Sequence, residues 1–173
     1  KIKVNGELTE YKDYLTFPIS AGDTTIITVE YETAPFIFDR PNNLKSVKCG
    51  SLVFALPIKY ELKMREYEEN GVKRIFPYCD YELIGKSDWN YAFSSEEFKL
   101  VHNNIALVPF SSEHPAVVLE ADMVKIDWGM HEVYANVCAM VPNSTEKLAE
   151  PEKMELYPYG CAKLRMTEIP LID

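Results

Sequence analysis

No hydrophobic run in this sequence approaches the roughly 20 apolar residues that a membrane-spanning helix needs; stretches such as Leu52 to Ile58 are far shorter. No secretory leader is visible. Basic residues are in deficit, with 18 Lys and Arg against 27 Asp and Glu, a formal net charge of −9. Such a surface repels phosphate backbones and anionic lipid, so neither nucleic acid nor membrane is an expected partner. A neutral sugar or another protein surface remains compatible. The four cysteines, Cys49, Cys79, Cys138 and Cys161, form no C-x-x-C pair and have no histidine at ligand spacing. A zinc ribbon or finger is therefore not expected, and no other cofactor is implied. Reduced, buried thiols packed as small hydrophobes are the simpler reading, although two disulfides remain open. Reduced thiols tilt location toward the cytoplasm. Also absent are the G-x-S-x-G elbow, the phosphate-cradling glycine loop and the G-x-G-x-x-G fingerprint.

What is present favours strands. A chain of 173 residues is near one domain in size and can hold one large sandwich or two small ones. Its 47% hydrophobic content is enough to exclude disorder. Eleven Tyr and eight Phe beside only seven Gly suit pleated, half-buried surfaces. The chain opens on Lys1, not Met, and we expect that opening to be an internal boundary, with any targeting signal lying outside it.

The pattern predicts a hairpin at Ile2 to Gly6, then strands at Tyr14 to Ile19 and at Thr25 to Glu32. In the last of these, Ile27, Val29 and Tyr31 share one face. Ser51 to Leu56 is apolar on both faces, as a covered central strand would be. Lys59 to Glu69 reads as an extended, charged arm, and Asn70-Gly71 as a turn. Further strands are expected at Tyr81 to Ile84, Trp89 to Phe93, Ile105 to Phe110, Val117 to Leu119, Met123 to Trp128 and Val133 to Val141. Ser94 to Glu97 reads as one capped helical turn, and Asn143 to Glu152 as a polar loop. Met154 to Tyr157 and Ala162 to Thr167 read as a closing pair. The expected fold is all-β, an antiparallel, jelly-roll-like sandwich over residues 1–173 with little helix. Residues 57–71 are the best candidate for a seam between two sub-sandwiches.

Candidate chemistry is sparse. His102, His114 and His131 stand alone and read as surface or loop histidines. A glycosidase needs two carboxylates at a fixed separation. Asp80, Glu82, Asp88, Asp122 and Asp127 lie near aromatics, but no pair among them stands out, so no catalytic residue is assigned. Asn143-Ser144-Thr145 fits the N-glycosylation pattern, which its loop composition already explains. Ser87-Asp88-Trp89-Asn90-Tyr91 sets an indole, an amide and a phenol together, and Trp128 offers a second ring. Trp89, Asn90, Tyr91 and Trp128 thus suit sugar stacking, against the simpler reading that aromatics fill a core.

Three stretches resemble one family in order and spacing. Val47 to Ile58, VKCGSLVFALPI, is similar to the "RGPLVFALPI" strand of glycoside hydrolase family 127, the β-L-arabinofuranosidase-like proteins of bacteria. Asp88 to Phe93, DWNYAF, resembles the family's "WNYAL". Tyr157 to Pro170, YPYGCAKLRMTEIP, resembles its closing "PYGCTKLRITEFP". Val4-Asn5-Gly6, Ala21-Gly22-Asp23 and Val141-Pro142-Asn143-Ser144 fall where the family carries similar turns and loops. The resemblance implies an accessory sandwich that follows a helical (α/α) barrel. That barrel would hold a cysteine nucleophile and a zinc ion bound by cysteines and a glutamate. None of those motifs occurs here, and Cys161 matches the closing motif, not the nucleophile. Cys49 and Ser51 replace the family's Arg and Pro, which removes a cation. The expected role is structural, with the catalytic domain of the same polypeptide as partner. The alternative is a carbohydrate-binding module that takes oligosaccharide on exposed aromatics.

Overall fold

The computed structural model describes residues 1–134, 137–142 and 146–172. Contacts divide the chain into two compact units, Lys1–Ala34 and Pro35–Asp173. Segment 57–71, the expected seam, lies inside the second unit. Among the described residues the regular structure is all-β and antiparallel, with two single 3-10 turns and no α-helix.

The first unit is a three-stranded sheet of β1 (Ile2–Val4), β2 (Glu7–Leu8) and β3 (Ile27–Val29), in the order β2-β1-β3. Asn5 and Gly6 make the turn with φ of 52° and 88°, values that Asn tolerates and Gly adopts freely. The Asn5 side chain accepts the Ile26 amide at 2.9 Å, and Lys3 pairs with Glu30 at 2.6 Å. The sequence placed Ile27, Val29 and Tyr31 on a covered face, yet all three are exposed. Tyr14 to Ile19, expected as a strand, has no regular structure. Both departures share one cause: this unit supplies no second layer for an apolar face to pack on.

The second unit is built on β4 (Phe36–Asp39), β5 (Leu44–Cys49), β6 (Leu52–Pro57), β7 (Tyr60–Arg65), β8 (Tyr67–Glu69), β9 (Val72–Arg74), β10 (Asp80–Gly85), β11 (Tyr91–His102), β12 (Val117–Lys125), β13 (Glu152–Pro158), β14 (Arg165–Met166) and β15 (Ile169–Pro170). Eight of these strands form one sheet along the path β11-β12-β13-β6-β5-β15, with β14 on β6 and β4 on β5. The sheet curls until its ends meet. Phe93 of β11 bridges Leu171, and the Ile172 amide donates to the Phe93 carbonyl at 3.0 Å.

Strand β12 buries one face along its length and the other only at Val118 and Val124, with Glu120 and Asp122 between them paired to Lys99 and Lys153. Leu119, Ala121 and Met123 enter a core with Phe54, Leu56, Phe93, Leu156 and Ile169. Val124 points to the other side, where Ile126 and Trp128 continue the alternation beyond the strand, packed with Ala92 and Ile172. The period of two read in Val124, Ile126 and Trp128 is thus real, and its covered face is a second core. Each fully buried large side chain contributes roughly 1.5–3 kcal/mol through apolar burial.

The charged arm is a ribbon of β7 and β10. Leu62 faces Leu83 and Met64 faces Tyr81, while Lys63 opposes Glu82 and Arg65 opposes Asp80. Opposite charges in register stabilise such a pair. At its tip β8 and β9 turn through Asn70 and Gly71, with φ of 51° and 74° as a two-residue hairpin demands.

Several expected elements differ. Ser94 to Glu97 is no helical turn but an irregular part of β11, where pairing passes from Phe93–Met123 to Phe98–Ala121 and four residues face Asp122. The Ser95 hydroxyl accepts the Glu97 amide locally, and Phe93 meets Phe98 edge-on at 5.6 Å, which holds the bulge. Ile105 to Phe110 forms turns instead of a strand, with Leu107 fully exposed. Pro109 breaks its run, and a Ser-Ser pair follows directly. Val133 to Val141 is likewise no strand where described; only Cys138 bridges, to Met130. Ala135 of that alternating set lies outside the described residues, as does Asn143-Ser144-Thr145. The two short strands expected at Val117 and Met123 are one strand. Ala162 to Thr167 contributes only Arg165–Met166.

Replacing Leu119, which is wholly buried, by Ala should destabilise this unit by about 3–5 kcal/mol. Urea unfolding measures it as a lower midpoint at unchanged slope. A loss below about 1 kcal/mol would mean that β12 is not sealed inside the core.

Candidate functional site

The sequence-predicted site residues lie where the start of β11 meets the end of β12. The Asn90 carbonyl accepts the Ile126 amide at 2.9 Å, and the Asn90 side-chain amide donates to the Ile126 carbonyl at 2.7 Å. Trp128 is 4% exposed; its indole N–H donates to the Ala139 carbonyl at 2.8 Å. Trp89, half-buried, meets Trp128 edge-on with ring centroids 5.3 Å apart. Lys125 closes the margin on Asp88 at 2.6 Å. The structure brings Trp89, Asn90 and Trp128 together as packing residues.

Tyr91 is 7% exposed and turns into the main core. Its hydroxyl donates to Glu152 Oε1 at 3.0 Å. Burial first, and then the bond to the Glu152 carboxylate, push the phenol up to about 12. An exposed platform of Trp89, Asn90, Tyr91 and Trp128 is therefore corrected. A sugar stacks on an open ring face, and Tyr91 and Trp128 have given theirs to the interior.

Trp128 also borders a groove of about 830 Å3 that the sequence did not announce. Leu44, Leu52, Phe110, Tyr159 and Met166 supply most of its apolar wall. Arg40 and Glu168, paired at 2.7 Å, supply the charge. Gly160 lets Phe110 approach closely: a Cβ there would stand 3.0 Å from the ring. The only signal in the sequence was the Tyr159-Gly160 step of the closing motif. Cys138 lines the same groove, and none of the four cysteines forms a disulfide. Burial raises the Cys161 thiol above its usual value, which makes it a poor nucleophile at neutral pH.

The remaining candidates stay apart. His102 and His114 are exposed, and the His131 ring accepts the backbone amides of Val133 and Tyr134. Asp122 pairs with Lys153 at 3.5 Å, Asp88 with Lys125 as above, and Asp80 and Glu82 face Arg65 and Lys63 across the ribbon. Asp127 is exposed. Among the described residues no three His, Cys, Asp or Glu side chains converge as a metal site would require. Comparison with protein-family models, curated protein sequences and solved structures found no match.

Two outcomes follow from this packing. Trp128→Phe keeps the ring but strands the Ala139 carbonyl, so unfolding should cost about 1–3 kcal/mol less, measured by denaturant titration of the variant. The raised Tyr91 value means that stability is full below the ordinary phenol range near pH 10 and lost as pH rises toward about 12. Glu152→Gln should bring the Tyr91 titration downward, followed through its ring carbons by NMR. An unmoved titration would leave burial as the sole cause.

Proposed function

We propose that this chain is a non-catalytic β-sandwich domain of a larger glycoside hydrolase resembling the β-L-arabinofuranosidases. Its role there is to support a helical catalytic barrel on the same polypeptide. The observation that carries this reading is where the three family-like stretches go. Val47, Cys49, Phe54 and Leu56 of the first, Tyr91 and Phe93 of the second, and Ile169 of the third all enter one core. Residues that a catalytic motif would present outward are here turned inward.

Arg165, one of two cations in the closing stretch, follows the same rule. Arg165 donates to the carbonyls of Ala162 and Lys163 and lies over the Tyr159 ring, 3.5 Å from its centroid. It braces its own turn. Exposed Ile105, Leu107, Val108 and Phe110, all on the β11–β12 connection, are the kind of apolar surface that a neighbouring domain covers. The rival module reading, with sugar stacked on Trp89, Asn90, Tyr91 and Trp128, draws no support from the burial of two of those rings.

The gene tests this directly. A reading frame that continues upstream of Lys1 into a long helical region rich in paired Glu and Cys supports the proposal. An initiator Met a few codons before Lys1 overturns it. The isolated chain should also fail to hydrolyse an aryl arabinofuranoside, and turnover at enzyme-like rates would refute the scaffold role.

A further inference from the structure

A second concavity has a different chemistry from the apolar groove. It holds about 550 Å3 beneath the β11–β12 connection, within the size range of small-molecule sites. Its polar groups are Asn103, Asn104, Glu113, His114, Glu155 and Tyr157, and its apolar lining is buried Pro115 and Val118 with Ile105 and Ala106 of the connection. Glu155 and Tyr157 stand two apart on β13 and so share a face of the sheet.

The connection that carries the other four groups is held in shape. The Asn103 backbone amide donates to the Ala116 carbonyl at 2.8 Å, and its side-chain amide donates to the Pro115 carbonyl at 3.0 Å. The Ser111 hydroxyl accepts the amides of Glu113 and His114 at 3.2 and 3.4 Å. These bonds fix the loop backbone before any ligand arrives, which lowers the ordering cost of binding.

The lining selects a ligand class by elimination. Two carboxylates without a lysine or arginine disfavour phosphates and other anions. Six polar groups disfavour a purely apolar molecule, which would leave them unpaired. An ammonium suits the carboxylates, but it has only donors to offer, and amides and imidazole both give and take hydrogen bonds. A hydroxyl also does both. Its carrier must in addition present C–H surface to Pro115, Val118 and the Tyr157 ring.

We propose that this cleft, between the β11–β12 connection and β13, binds a neutral sugar ring through Asn103, Asn104, Glu113, His114 and Glu155, with Tyr157 as its aromatic wall. The site is distinct from the tryptophan pair, and it shares Ile105 with the apolar surface assigned above to a neighbouring domain. The sugar hydroxyls donate charge-assisted hydrogen bonds to the carboxylates, and the amides complete the pattern.

Amide-shift mapping by NMR on the whole chain tests this, with arabinose, xylose, galactose and glucose as probes and putrescine and a sugar phosphate as competitors. At least one neutral sugar should shift the amides of Asn103, Asn104, Glu155 and Tyr157 saturably, with Kd on the order of 1 mM. Asn104→Ala, at an exposed position, should weaken binding about tenfold, and Glu113→Gln, which keeps an acceptor, by no more than about threefold. The amide spectra of both variants report whether the fold is intact. No saturable shift with any sugar, shifts confined to residues elsewhere, or putrescine moving the same amides at lower concentration than every sugar would each overturn the assignment.

Discussion

The pairing of Phe93 with the Leu171–Ile172 segment is the constraint on which the second unit rests. A curved eight-stranded sheet with two open ends would leave its inner face wet. Closing those ends turns that face into a core and covers Leu119, Ala121 and Met123 of β12. It also sets the start of β11 beside the tail that follows β15. The second family-like stretch therefore meets, at a single hydrogen-bonded step, the two residues that follow the third, although they are far apart in the chain.

Burial on two sides explains which elements were legible in the sequence. Leu52 to Pro57 is a near-continuous apolar run and proved to be an interior strand, whereas Glu120 and Asp122 interrupt Val117 to Lys125 and made one strand read as two. Lys59 to Glu69 was legible as an arm because Tyr60, Leu62 and Met64 alternate with charge and a turn-forming Asn-Gly follows. Alternation misled where no layer stood opposite. Ile27, Val29 and Tyr31 alternate as cleanly as Val124, Ile126 and Trp128, yet only the second set is covered. A period of two shows that side chains share a face, not that anything packs against it. The same limit applies to Val133 and its neighbours, and the bulge at Ser94 to Glu97 lacked any local signature separate from a capped turn.

The candidate site was legible in composition but not in role. Trp89, Asn90 and Trp128 do lie together, as their grouping suggested, but indole N–H and amide groups were satisfied by backbone carbonyls of the same chain. Cores with large aromatics recruit the same residue types that sugar platforms use, so identity alone could not separate them. The polar cleft carries no dense motif, because its groups come from a loop and a strand that fold back on one another. Only the register of β12 against both β11 and β13 brings Asn103 to the neighbourhood of Glu155.

The closed sheet also has a consequence for biosynthesis. Strands β4 to β6 leave the ribosome before the partners that complete them, β13, β14 and β15. Until Ile172 has emerged, a nascent chain holds Phe54, Leu56 and Phe93 without their cover. Such non-local pairing folds slowly and leaves sticky intermediates exposed while translation proceeds. Apolar surface that waits for its cover during synthesis is thus built into the order of the strands, independent of what the finished protein does.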